Sequence, residues 1–460
     1  MTTTEGLKAS TSDSLPPITI FSSIDNIGKA LRECQEQQQK EKDGESCTRS
    51  IVANVAIIEI VDTDALNGYG ATVIFEPTKM TIETIEKLNN AEILITEPFV
   101  LAKLLKYIKQ QQQQKENGDT AILNLSNLRW CQSTYAGVDP LFAPTTTNVN
   151  NDDKEKEKDN NQNDYTTSTT IPNPSFILTR FAGVFGRPIA EWCIGRIIEY
   201  ERNFNLSRID QSNKQWVGNT KVLEYRYLSD LTLGILGCGD IGTCIAKSAK
   251  YGFNMNIIGY KRSHPPPETK KQKTDDNTIG ENGDGKVFDR YTTSLQDIFQ
   301  NCDYIVSVLP STNETRGLLT PKVFSYGGNP SADGSCVDGS ESRSPPVFIN
   351  VGRGDVIAAS TIKPTNLESN TSSSSSSSSN TICNALNNGN IRHAILDVFD
   401  IEPLPDTDPL WNHPNVTISP HISGLTRSSD VPKIILDNYQ RYVKDKTTLK
   451  YQVNWNKHIE

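Results

Sequence analysis

Two doubly wound α/β domains, each built on a parallel sheet, are what this 460-residue sequence predicts. Three observations predict them. Short apolar runs alternate with helix-periodic stretches in two separate series. The runs of the second series have the unbroken apolar character of strands buried on both faces. A glycine-rich turn joins one of those runs directly to a helix-forming stretch.

In the N-terminal half, residues 18–21, 55–61, 72–75 and 93–96 are runs rich in β-branched side chains, and 82–89 and 101–110 are helix-like. Branching at Cβ suits a pleated surface, and strands separated by helices form parallel pairs, because a parallel connection needs room for a crossover. The second series comprises 231–236, 256–260, 304–309, 347–351, 394–398 and 416–419. Between the two, 188–203 predicts a joining helix, with Pro188 near its start and Ile189, Trp192, Cys193, Ile197 and Ile198 on one stripe. A tail helix is predicted over 434–442.

Composition narrows the function classes. The formal net charge is −9, and Lys and Arg are scattered or diluted by acids, as in 154–159, so no basic face for nucleic acid is expected. The nine cysteines stand singly, with no C-x-x-C pair and no zinc spacing. That predicts reduced thiols, no disulfide and no metal. A polar N-terminus and the lack of a long apolar window predict a cytosolic protein without a membrane partner. Residues 35–45, 110–118, 145–170 and 367–380 are too polar to offset their ordering entropy, and 263–285 and 326–346 are rich in Pro, Gly, Ser and charge. All six are expected to be surface insertions.

The run 231–236 leads straight into Gly237-Cys238-Gly239-Asp240-Ile241-Gly242, with helix-forming residues 243–249 behind it. Gly237 permits the tight turn, Gly239 lets a pyrophosphate approach the backbone, and Gly242 lets the helix pack closely on the sheet. The helix-start amides then bind the anion. This predicts a dinucleotide site, against the plainer reading of glycines that serve packing alone. After the next strand, an acid that would grip a ribose 2′-hydroxyl is replaced by Lys261-Arg262. Two cations there predict NADP, through its 2′-phosphate; the alternative is NAD, with the pair merely solvated.

Three late strands end in groups suited to reducing a 2-keto acid: Arg353 after the 347–351 run, Glu402 after 394–398, and His421 after 416–419. The planar fork of Arg353 can hold a carboxylate or keto oxygen, and a carboxylate with a His can supply orientation and a general acid. Each has a bland reading alone: a surface charge, a helix-start carboxylate, a core histidine. Their order after a dinucleotide turn favours the catalytic one. His264, His393, His413 and His458 lack such a context and are read as structural or solvated.

At these residues the sequence resembles the D-isomer-specific 2-hydroxyacid dehydrogenases, especially the glyoxylate and hydroxypyruvate reductases. The resemblance extends to Gly234-Ile235-Leu236-Gly237, to Val308-Leu309-Pro310 with Thr315, and to Glu402-Pro403-Leu404-Pro405 through Pro409-Leu410-Trp411-Asn412-His413-Pro414. It implies a Rossmann cofactor domain, about 184–424, inserted in a flavodoxin-like substrate domain of 17–183 and 425–460. It further implies that Arg353 binds substrate, His421 protonates the carbonyl oxygen and Glu402 bonds that His. Asp397 would lie near the nicotinamide carboxamide, with Leu309, Pro310, Thr315 and Val351 along the cofactor. Ser133-Thr134-Tyr135-Ala136-Gly137-Val138-Asp139 resembles the loop whose amides meet the substrate carboxylate, which assigns Ala136, Gly137 and Val138 to that task. The implied activity is hydride transfer between NAD(P)H and a small keto acid such as glyoxylate or hydroxypyruvate, giving the D-2-hydroxy acid, in a homodimer.

The long insertions have no counterpart in that family. A nucleotide-sensing corepressor of the same fold is the alternative, with all three catalytic residues against it. A formate dehydrogenase would pair Gln, not Glu, with the His, and a phosphoglycerate dehydrogenase with a regulatory C-terminal domain would extend well past the tail helix.

Overall fold

A computed structural model describes residues 15–40, 55–67, 73–113, 122–142, 174–263, 287–328, 343–360 and 376–455. The chain divides into two compact units, Met1–Ala182 with Thr426–Glu460, and Gly183–Leu425.

The first unit begins β1 (Ile18–Ile20), α1 (Ile27–Lys40), β2 (Ile57–Glu59), β3 (Leu66–Asn67), β4 (Ile74–Phe75), α2 (Ile82–Asn90), β5 (Ile93–Thr96), α3 (Pro98–Gln113), β6 (Trp130–Ser133) and β7 (Ile177–Thr179). Five of its strands form a parallel sheet in the order β2-β1-β5-β6-β7. Ile93, Leu94 and Ile95 at its centre are wholly buried, and the Phe21 and Phe75 rings meet edge to face at 5.7 Å in the core. The run at 72–75 does not join this sheet. Its described part, β4, pairs antiparallel with β3, because the few residues between them leave no room for a parallel crossover. Strands β6 and β7 escaped the sequence reading because Gln132, Ser133 and Thr179 interrupt the apolar pattern. These polar side chains are buried yet bonded: Thr179 Oγ1 donates to Gln132 Oε1 at 2.7 Å and accepts from Trp130 Nε1 at 2.8 Å.

The second unit holds α4 (Gly186–Glu201), α5 (Phe204–Ser212), β8 (Thr232–Leu236), α6 (Asp240–Phe253), β9 (Asn256–Tyr260), β10 (Arg290–Thr292), α7 (Leu295–Asn301), β11 (Tyr304–Ser307), α8 (Pro321–Ser325), β12 (Val347–Asn350), α9 (Ser378–Asn387), β13 (His393–Leu396) and β14 (Val416–Ile418). Its seven strands are all parallel, in the order β10-β9-β8-β11-β12-β13-β14. The chain order reverses across β8, so the carboxyl ends of β8 and β11 flank the crevice in which such sheets hold ligands. Phe299, Phe324 and Phe348 meet edge to face in the core of this unit, and α10 (Val431–Lys444) returns the chain to the first unit.

Three expected insertions prove partly structural. Helix α1 carries the first glutamines of 35–45 as far as Lys40, with Gln35 buried and its Nε2 donating to Val55 O at 3.3 Å. Helix α3 likewise runs through the start of 110–118 to Gln113. Glutamine is a good helix former, so a polar tract continues a helix already begun. The end of 367–380 is the first turn of α9: Ser377 caps it by accepting from Asn380 N at 3.2 Å, and Ser378, Ser379 and Asn380 are buried. Ser379 Oγ donates to Asp408 Oδ2 at 2.8 Å. Composition registers serine as polar but not that its hydroxyls find partners, Ser377 on the helix start itself and Ser379 on Asp408. Of 326–346, residues 326–328 and 343–346 are described, and Arg343 pairs with Asp303 at 2.7 Å. The stretch 145–170, and 263–285 beyond Ser263, lie outside the described residues. No helix among the described residues is long and apolar enough to cross a membrane.

Candidate active site

The dinucleotide turn has the geometry its glycines predict. Gly237 follows β8 at φ +103°, which other side chains adopt only with strain, and a Cβ there would also stand a tight 3.1 Å from Val308 O. A Cβ on Gly242 would collide with Gly237 O, which is how α6 lies so close to the strand. Gly239 is the N-cap of α6 and has open space where its Cβ would be, and no side chain caps the helix. The first amides of α6 are therefore left to an anion, and the turn fits a dinucleotide pyrophosphate. Asp240 occupies the first helical position, where the helix dipole favours an acid, and Ile241 follows it.

At the end of β9, Lys261 N donates to Thr292 O at 3.0 Å, which continues the pairing with β10. The Lys261 ammonium lies 4.0 Å from the centre of the Tyr291 ring, and Arg262 lies 3.8 Å from Glu314 with both side chains largely exposed. On the far side of the crevice Leu309 and Val351 are buried. Thr315 Oγ1 closes the intervening loop by donating to Pro310 O at 2.5 Å and accepting from Thr312 N at 2.8 Å.

Arg353, Glu402 and His421 follow the three neighbouring strands β12, β13 and β14. The Arg353 backbone is held by Asn350, whose Nδ2 donates to Arg353 O at 2.9 Å, while Nη1 donates to Gly352 O at 2.8 Å. Glu402 Oε1 accepts from Phe399 N at 2.9 Å, which aims the other oxygen at His421 Nδ1, 2.8 Å away. Nδ1 thus carries the proton toward Glu402, leaving Nε2 for a reacting group. Both side chains are partly exposed, at 40% for His421 and 30% for Glu402.

His421 has φ +54°, a left-handed conformation uncommon outside glycine that the surrounding loop must hold. The constraint comes from Asp397, which is wholly buried. Its carbonyl accepts from His421 N at 2.8 Å. Its Oδ1 accepts from Ser419 Oγ and Ile422 N, and its Oδ2 from Ser423 N. The Asp397 carboxylate is turned to the loop that presents His421. Ser419 and Ser423, partners in this clamp, were not singled out in the sequence; the signal was a serine ending an apolar strand one residue before Pro420-His421.

In the first unit, the loop after β6 is fixed by its own ends. Thr134 N donates to Thr96 O at 3.1 Å, Thr426 Oγ1 donates to Thr134 O at 2.6 Å, and Phe181 N donates to Tyr135 O at 3.0 Å. Val138 is buried, while Ala136 and Gly137 are partly exposed. Among the described histidines, His393 bonds Thr417 Oγ1 at 2.9 Å and His413 meets Asn387 Oδ1 at 3.3 Å, away from the Glu402–His421 pair.

A glycine turn of this geometry on a seven-stranded parallel sheet, in a chain that also holds a second α/β unit, defines a two-unit dinucleotide-binding protein. The model of the D-isomer specific 2-hydroxyacid dehydrogenase NAD-binding domain matches residues 194–369 and 358–423, half of the chain. The chain belongs to the D-isomer specific 2-hydroxyacid dehydrogenase family, nicotinamide-dependent oxidoreductases that act on 2-hydroxy acids.

Solved structures share the fold. A D-isomer specific 2-hydroxyacid dehydrogenase family protein from Aeromonas salmonicida is 23% identical, with 96% of this chain and 100% of that one covered at a TM-score of 0.60. An NADPH-dependent glyoxylate/hydroxypyruvate reductase from Sinorhizobium meliloti, in complex with NADP and sulfate, is 17% identical, with 96% and 99% covered at 0.56. A D-lactate dehydrogenase from Treponema pallidum is 15% identical, with 95% and 99% covered at 0.56.

Proposed function

We propose that the protein reduces small 2-keto acids of the glyoxylate or hydroxypyruvate type with NADPH, giving the D-2-hydroxy acid. The observation that carries this reading is the 2.8 Å contact between Glu402 and His421 Nδ1, made on a loop that Asp397 locks from beneath. It leaves Nε2 as a proton donor of set direction.

The glycine turn Gly237–Gly242, with Asp240 and Ile241 at its helix start, would hold the pyrophosphate. Lys261 and Arg262 would meet the 2′-phosphate, and Leu309, Pro310, Thr315 and Val351 would line the dinucleotide. When bound, the nicotinamide supplies the hydride. The chain's own residues manage charge and the proton. Amides of Ala136, Gly137 and Val138 would meet the substrate carboxylate, and Arg353 would bind substrate and polarise the keto group. As negative charge grows on the keto oxygen, His421 Nε2 donates its proton, with Glu402 holding the imidazole by Nδ1. Asp397 acts through the loop as a positioning residue.

A homodimer belongs to the same reading. Phe204, Ile209, Trp216, Val217, Leu223, Tyr225 and Tyr227 are exposed within one short stretch, Trp216 fully so, and a second copy would cover them. The cytosolic placement rests on the singly spaced cysteines of the sequence.

A panel of keto acids assayed against NADPH and NADH tests the proposal. Turnover of glyoxylate or hydroxypyruvate with NADPH is the expected result. A preference for pyruvate, or equal efficiency with NADH, would reject the substrate or the cofactor assignment respectively.

A further inference from the structure

Lys261 and Arg262 are neighbours in sequence but are held by different chemistry. Arg262 faces a carboxylate: Glu314 lies 3.8 Å from its guanidinium, so part of its charge is already answered from the loop after β11. Lys261 faces a ring instead, with its ammonium 4.0 Å from the centre of Tyr291. A π face attracts a cation without neutralising it, so the lysine keeps its full charge toward an anion. Its long flexible stem also has a resting place.

The local fold prepares this perch. Tyr291 sits on edge strand β10 directly opposite Gly259 of β9. A Cβ on Gly259 would stand 2.6 Å from Cys238 Sγ, 2.8 Å from the Tyr291 ring and 2.9 Å from the Phe288 ring, so only glycine admits this layer. Phe288 braces Tyr291 with ring centres 5.0 Å apart, and Cys238 belongs to the phosphate-binding turn itself. The layer therefore ties the position of Lys261 to the position of the turn.

We infer that Tyr291 is a specificity-determining positioning residue: its ring holds Lys261 for the ribose 2′-phosphate, and Lys261, not Arg262, carries most of the discrimination. This rests on the NADPH reading above. Tyr291 itself touches no phosphate; it lowers the ordering cost of the lysine that does.

The test is calorimetric binding of adenosine 2′,5′-bisphosphate and of 5′-AMP to the full chain and four variants. Tyr291→Phe keeps the π face and should bind both ligands as the unaltered protein does. Tyr291→Leu should weaken the bisphosphate about three- to tenfold, the scale of a cation–π contact, and leave AMP unchanged. Lys261→Ala should lose more bisphosphate affinity than Arg262→Ala. The inference is overturned if Tyr291→Leu binds the bisphosphate normally, if it loses both ligands alike, if Tyr291→Phe is as weak as Tyr291→Leu, or if Arg262→Ala has the larger effect. If the unaltered protein binds AMP as tightly as the bisphosphate, the NADPH reading itself fails and this inference with it.

Discussion

Glu402 Oε2 and His421 Nδ1 stand 2.8 Å apart, and the second Glu402 oxygen is fixed by Phe399 N at 2.9 Å, so the carboxylate cannot swing away without losing a backbone bond. With the imidazole thus oriented, His421→Asn should lower keto-acid turnover by roughly 10²- to 10⁴-fold, the usual scale of general acid catalysis, and leave NADPH affinity nearly unchanged. Stopped-flow reduction and direct cofactor titration measure the two separately. Near-normal turnover with the fold intact by circular dichroism would remove His421 from the mechanism. Arg353→Ala should differ by raising KM as well, because in the proposed mechanism its fork also binds the substrate ground state.

Asp397 accepts three hydrogen bonds on its carboxylate while wholly buried. Asp397→Asn turns one acceptor into a donor facing a donor, and each bond to a charged group contributes roughly 1.5 to 3 kcal/mol. Urea denaturation should register a stability loss of at least one such bond, about 2 kcal/mol, with turnover falling because the left-handed His421 backbone is no longer clamped. A variant of unchanged stability would show that the clamp is not energetic.

Removal of the serine run through Asn380 strips the cap and the buried first turn from α9, so deletion of 371–380 should lower the cooperative melting temperature. Ser377→Ala alone should cost about 1 kcal/mol, the usual value of an N-cap hydroxyl. Identical melting curves for that variant and the unaltered protein would remove the capping role.

Burial, then the nearby His413 and Arg392 charges, hold the His393 imidazole down to about 4 from its ordinary 6.5. The unfolded chain therefore takes up a proton as pH falls through 6.5, while the folded protein does not until about 4. Stability from the neutral ring is complete above 6.5 and declines as pH falls toward 4, by up to roughly 3 kcal/mol. Chemical denaturation from pH 4 to 7 should show this slope, and His393→Gln should flatten it. An unchanged slope in that variant would assign the acid sensitivity to other groups.

Most strands of the two sheets, though not β6, β7 or β10, were legible, as were the glycine turn and the Arg353, Glu402 and His421 positions, because local rules write them into adjacent residues. Alternation of apolar runs and helices reports a parallel sheet, and a strand–glycine–helix junction reports an anion site, with no distant partner needed. Composition misled where it stood in for structure. Gln35 and Ser379 look like insertion residues, yet one closes onto Val55 and the other onto Asp408.

By itself, then, the sequence determined the two α/β units, the dinucleotide turn and which residue types stand at the ends of β12, β13 and β14, since each depends on neighbours along the chain. Only the tertiary structure decided what those residues lean on: that Asp397 grips the His421 loop 25 and 26 residues away, that Glu402 aims at Nδ1, and that Lys261 rests on Tyr291 across a strand pair. The reason is physical. Hydrogen-bond and cation–π partners are chosen by distance in space, and β-sheet pairing brings together residues whose separation in sequence carries no trace of their contact.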